Sequence, residues 1–168
     1  PQGRILMNPF ANVKASSWFG KYVIDLYNDG IINGTSATTY APNDTLTWAA
    51  ALKLLLVSHG DLKAADATGA DWSKNAIAKA AELGLVAADL DGAKAISRLE
   101  FCQVAAKLNK LAESKTESKF TDCTDGYVMA LVDAKVISGM TETTFEPAAS
   151  LTRAQIAKIL YQLTLIEK

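Results

Sequence analysis

The chain has 168 residues, 49% of them hydrophobic and 21% charged, with 10 Gly and 4 Pro. That is a foldable composition for one domain or a few small repeats, and it excludes a disordered, collagenous or low-complexity chain. Net charge is −1, from 17 Lys+Arg against 18 Asp+Glu, and the longest apolar run, Ala49–Val57, is broken by Lys53, so neither a field for nucleic acid nor a membrane span is present in the sequence.

In chain order, Pro1-Gln2-Gly3-Arg4 has neither a cationic leader nor a full apolar stretch after it, so the start reads as an internal cut in something larger. Phe19, Tyr22, Val23, Leu26 and Tyr27 recur at helical spacing and predict a first helix that stops near Gly30. An apolar pair, Gly34 and a threonine-rich loop follow, closed by Tyr40-Ala-Pro42, where the aromatic pins the loop to the core and the proline restricts the chain. A second helix starts at Thr47 and ends at His59-Gly60, where the chain's one histidine suits a helix C-terminus.

The same order then recurs. Trp72, Ile77, Ala80, Ala81 and Leu83 predict a weaker helix stopping at Gly84, and the next begins at Ser97. The polar stretch Ala112–Lys119 reads as a linker. Tyr127, Val128, Leu131 and Val132 predict another first helix, and a last one begins at Thr152. Ser97-Arg98-Leu99-Glu100 and Thr152-Arg153-Ala154-Gln155 fit the capping box, whereas Thr47-Trp48-Ala49-Ala50 keeps only the hydroxyl.

Set against each other at a shift of 105 with no gap, Gly30–Leu56 and Lys135–Tyr161 share ten of 27 positions, among them Gly34/Gly139, Pro42/Pro147, Thr47/Thr152 and Lys53/Lys158. Ordinary residue usage gives about two by chance. A third copy lies between: Trp18 matches Trp72 at a shift of 54, the loop then loses four residues, and Ile96-Ser97-Arg98 falls on Leu151-Thr152-Arg153. The repeats run Phe10–His59, Asp66–Leu111 and Phe120–Leu165. Two helices cannot close a core alone, so the copies must share one.

These repeats resemble the S-layer homology domain. The resemblance rests on Phe10-Ala-Asn-Val13, Trp18, Tyr22, Gly30-Ile-Ile-Asn-Gly34, Tyr40-Ala-Pro42 and Leu46-Thr47, and in the last copy on Phe120-Thr-Asp122, Tyr127, Val136-Ile-Ser-Gly139, Phe145-Glu-Pro147 and Leu151-Thr-Arg-Ala-Gln155. It implies an all-α, three-pronged pseudo-trimer around a central helix bundle. It also implies grooves that bind a secondary cell-wall polysaccharide, often through a pyruvate ketal, so that a larger bacterial surface protein is held non-covalently at the wall. Copy one has Trp48 where the family has Arg, and copy two lacks the glycine loop and its proline, which implies two binding grooves or one rather than three. The other reading of those losses is a degenerate structural or protein-interaction domain.

The candidate ligand residues follow. Arg98 and Arg153 offer a planar fork to a ketal carboxylate, next to free helix N–H groups. Trp18 and Trp72 serve either as sugar platforms or as core. Trp48 reads as packing. Gly34 and Gly139 allow either close ligand approach or a positive φ. Two cysteines are too few for a disulfide scaffold, and Cys102 and Cys123 read as buried, reduced thiols. Nothing in the sequence assembles a catalytic set, a metal site or a cofactor site.

Overall fold

The structure, a computed structural model, describes residues 5–166, so the reading of Pro1–Arg4 lies outside the described residues. It is all-α. The helices are α1 (Gly20–Asn28), α2 (Trp48–His59), α3 (Trp72–Glu82), α4 (Arg98–Leu108), α5 (Gly126–Asp133) and α6 (Arg153–Thr164), with a short 3-10 turn at Ala64–Ala67. No described helix is long and apolar enough to cross a membrane.

The local starts and stops follow the sequence. Thr47, Ser97 and Thr152 are extended and accept from the amides of Ala50, Glu100 and Gln155. Glu100 and Gln155 return the bond to the Ser97 and Thr152 amides, both at 3.0 Å, completing two capping boxes. Gly30 and Gly84 stop α1 and α3, each at φ 77. The residue after α5 departs from that pattern: Lys135 occupies the left-handed region, φ 62, where the other two copies have glycine.

Packing joins each copy to the next. α3 lies on α2, α5 on α4, and α1 on α6, while α2 also meets α6. Each pairing sets the first helix of one copy on the second helix of the copy before it, with the first copy closing onto the last. Antiparallel bridges repeat the pattern just ahead of the second helices: Thr47 with Ala95, Ser97 with Ser150, and Thr45 with Thr152. Between them, Leu46 donates to Leu151 O and Ile96 to Leu46 O. One apolar cluster runs through all three copies, including Leu26, Leu52, Leu55, Phe101, Leu131, Ile156 and Leu160. Burial of that shared surface is the main stabilising contribution.

Cys102 and Cys123 are both free and buried. Burial pushes the Cys102 thiol up to about 12 and raises that of Cys123, so neither is a nucleophile at neutral pH. Alkylation of the native protein should be slow, whereas denaturing, non-reducing alkylation should add two alkyl groups by intact mass; fewer than two would reveal a bridge.

Because α5 rests on α4 and α6 on α1, a fragment of residues 120–168 keeps neither packing partner. It should show little helix by circular dichroism and no cooperative melt. A sharp thermal transition in that fragment would refute the shared core.

Candidate functional site

Each second helix begins against the loop of the next copy. Trp48 and Ala49 donate their amides to Lys94 O and Gly92 O; Arg98 and Leu99 to Ala149 O and Pro147 O; Arg153 and Ala154 to Asp44 O and Pro42 O. With the third amide held by the cap hydroxyl, little donor capacity remains at these helix starts. The expectation of free N–H groups beside Arg98 and Arg153 is therefore corrected: the neighbouring loop's carbonyls already take them.

The arginine side chains are also committed to that loop. Arg98 is 3% exposed. Its Nε donates to Phe145 O at 2.9 Å, its Nη2 to Ser138 O at 3.2 Å, and its guanidinium lies 4.4 Å from the Phe145 ring centroid. Burial lowers its pKa from the ordinary value. Arg153 repeats the arrangement on the first copy, 4.4 Å from the Tyr40 ring centroid with Nη2 donating to Asn33 O at 2.7 Å. The Tyr40 hydroxyl in turn donates to Arg153 O, and burial pushes that phenol up to about 12. The Arg153 Nε is buried with no protein partner.

The aromatics that carry the arginines are fixed from their other sides. Tyr40 and Phe145 are fully buried and lie against Phe10 and Phe120 at 5.6 and 5.5 Å. The Tyr40 amide donates to Asn12 Oδ1, and the Phe145 and Glu146 amides to the two oxygens of Asp122, which holds that carboxyl below its usual range. Gly34 and Gly139 belong to the same packing. Neither has a positive φ, so that reading is corrected. A Cβ at Gly34 would run into Thr39 O and the Phe10 ring, and one at Gly139 into Thr144 O and the Phe120 ring. The loop folds too tightly for any side chain.

Around this frame the structure brings the sequence-predicted residues together. A cleft of about 130 Å³ is lined by Trp18, Arg98, Gly139, Gln155 and Lys158, with Val136–Met140 as one wall. Four elements meet there: the start of α4, the last copy's loop, α6, and the segment leading into α1. Trp18 is 58% exposed, which favours an open ring over core packing. The register-equivalent group is Trp72, Arg153, Gly34 and Lys53. Lys53 Nζ lies 5.3 Å from the Trp72 ring centroid, and Arg153 bonds the loop beside Gly34. Burial lowers the Lys53 pKa, and the Arg153 charge lowers it further. Among the described residues, none of Arg98, Arg153, Lys53 and Lys158 forms an ion pair with a carboxylate. Asp122 and Glu146 act on Arg98 only through longer-range attraction.

The third groove departs at every one of these positions. Trp48 replaces the arginine, Gln103 the lysine and Ala88 the glycine, and the tryptophan has no counterpart, because Cys123 stands in register with Val13 and the run from there to Tyr127 is shorter than the one from Val13 to Tyr22. Trp48 is partly buried against the core, and Gln103 donates to Asp125 at 2.9 Å. Lys53 and Lys158 are the residues that sequence reasoning passed over. They stand among the identities of the repeat alignment, but a lysine on a helix otherwise reads as a solvated surface.

Residues 9–52 and 121–157 match the S-layer homology domain family model. The chain is 29% identical, over 92% of its length, to an endoglucanase of Bacillus sp. (strain KSM-635), covering 18% of that protein. It is 37% identical over 46% of its length to the surface-layer 125 kDa protein of Lysinibacillus sphaericus, 7% of which is covered. It is 26% identical over 92% of its length to an amylopullulanase of Thermoanaerobacterium thermosulfurigenes, covering 9%. The chain thus spans less than a fifth of the length of the curated relatives it matches.

Arg98→Ala would leave Phe145 O and Ser138 O without their donors and uncover the Phe145 ring. It should cost roughly 2–4 kcal/mol, a fall of about 5–15 °C in Tm by calorimetry. Arg98→Lys should recover only part, because the fork is lost. An unchanged Tm for Arg98→Ala would show that the cross-copy bonds carry no load.

Proposed function

We propose that this chain is a non-catalytic anchoring module. In this reading three S-layer homology repeats, Phe10–His59, Asp66–Leu111 and Phe120–Leu165, stand in pseudo-threefold order and tie a larger surface protein to an acidic cell-wall polysaccharide. The chain's place is the cell surface or cell wall, as the two matched segments indicate. The observation that carries the proposal is the joint presence of arginine, lysine, tryptophan and glycine in two grooves, and their joint absence from the third. A purely structural repeat would have no reason to lose all four together.

The chemistry follows from the groups present. Arg98 and Arg153 first position the loop. Their charge, together with Lys158 or Lys53, then attracts a carboxylate such as a pyruvate ketal. The exposed face of Trp18, and its counterpart Trp72, receives the apolar face of a sugar ring. The glycine loops keep the groove wall bare of side chains. Binding here is recognition alone: the ligand is held and released with no bond made or broken.

The test is a titration with purified wall polysaccharide, before and after removal of its ketals. Native glycan should bind and deketalised glycan should bind far less. Lys158→Ala and Lys53→Ala should each weaken binding roughly tenfold, about 1.5 kcal/mol, at unchanged Tm. Trp48→Ala should lower Tm and leave the affinity of the folded protein intact. If the two lysine variants and Arg153→Ala all bind as the wild type does, these grooves do not hold the glycan, and the degenerate structural unit becomes the reading.

A further inference from the structure

Building on the anchoring reading above, we infer that the two grooves differ in the charge of the ligand they accept: the Arg98 groove takes two adjacent acidic units of one glycan, and the Arg153 groove takes a single one. The Arg98 cleft does not end at Lys158. A second trough of about 410 Å³ adjoins it, sharing Val136, Ile137, Ser138 and Lys158 as lining. The rest of this trough is Tyr22, Lys119, Val132, Lys135 and Gln162. Together the two depressions are lined by Arg98, Lys119, Lys135 and Lys158, with no carboxylate in either lining. In a chain of net charge −1, that is a strong local excess of one sign. Lys119 and Lys135 form no ion pair among the described residues.

The other groove lacks the cations of this extension. In register with Lys119, Lys135, Tyr22 and Gln162 stand Pro9, Gly30, Ala76 and Val57. The cationic trough therefore belongs to this copy and is not a by-product of the repeat. The backbone at Lys135 is also unusual. It holds φ 62 at a helix stop where Gly30 and Gly84 sit at φ 77. A lysine there is strained where glycine is not; Lys110, at φ 58 after α4, is strained in the same way.

The two depressions are continuous through the Val136–Ser138 wall and Lys158, so a ligand of more than one unit can lie across both. The first carboxylate meets Arg98 and Lys158 beside Trp18, and the second meets Lys119 and Lys135 beside the Tyr22 ring, which packs 5.2 Å from Tyr161. Both lysines are exposed, so this second contact is sensitive to salt.

The probes are a synthetic amino-sugar monosaccharide bearing one pyruvate ketal and the corresponding disaccharide bearing one on each sugar. They are titrated into the full chain in a Lys53→Ala background that weakens the other groove, so that the tighter of two binding events reports the Arg98 groove. The disaccharide should bind about tenfold more tightly than the monosaccharide at low salt, with the difference shrinking as salt rises. Lys119→Ala and Lys135→Gly should each weaken disaccharide binding roughly two- to fivefold and leave the monosaccharide within twofold. Lys135→Gly should at the same time raise Tm, since it relieves the strained turn, which separates lost charge from lost folding. Equal affinity for the two probes, or equal losses on both, overturns the two-charge groove while leaving the anchoring reading intact. Failure of both probes to bind the Lys53→Ala chain and the wild type overturns the two together.

Discussion

The fold depends on where the second helices begin. An α-helix leaves its first amides without partners, and in α2, α4 and α6 the first two donate to loop carbonyls of the following copy. A helix start is therefore completed only by a neighbour, and the neighbour's loop is held only by that helix start. Hydrophobic burial supplies the larger share of the stability, but it does not set register. The paired amides do, since a one-residue slip would orphan both donors and both acceptors in a buried place. The three antiparallel bridges lie at the same junctions.

The grooves lined by Arg98 and Arg153 are products of the same junctions. Arg98 and Arg153 sit at N1, so the residue that follows the cap is carried directly onto the neighbouring loop. There the guanidinium meets a buried aromatic and one or two carbonyls. Among the described residues the arginine then makes no direct ion pair with a carboxylate, while its donors are turned onto loop carbonyls. Such a cation is fixed in place by the fold itself, so its side chain has already lost most of its conformational freedom. The lysines on α6 and α2 approach the same point from the opposite wall, and the tryptophans come from a third element.

How much was legible in the sequence depended on the range of the interaction. The capping boxes at Ser97 and Thr152 were readable because hydroxyl and N3 acid or amide stand three residues apart, and the stops at Gly30 and Gly84 were readable for the same reason. The repeat register also placed Arg98, Arg153, Trp18, Trp72, Gly34 and Gly139 at equivalent positions. The burial of Arg98 was not readable, because its acceptors lie 47 and 40 residues downstream and nothing local distinguishes it from a surface arginine. The two loop glycines were recognised as obligatory for a reason other than the real one: the folded-back loop and an aromatic ring fill the space of a side chain. Lys53 and Lys158 gained meaning only when a tryptophan from the following copy was placed beside them.

The closure of α1 onto α6, with Thr45 bridged to Thr152, bears on how such a unit can evolve. An open solenoid can gain or lose a repeat at either end, because each copy touches only the ones next to it. Here the first and last copies are also next to each other, and a missing or extra copy would leave helix starts and loops without their complements. Copy number is thereby locked, and duplication can succeed only for the whole set. The third groove shows the consequence: it lacks arginine, lysine, tryptophan and glycine together, yet the middle copy's loop carbonyls at Gly92 and Lys94 still complete the start of α2. The residues that line the grooves can drift one groove at a time, while the architecture is inherited as a single piece.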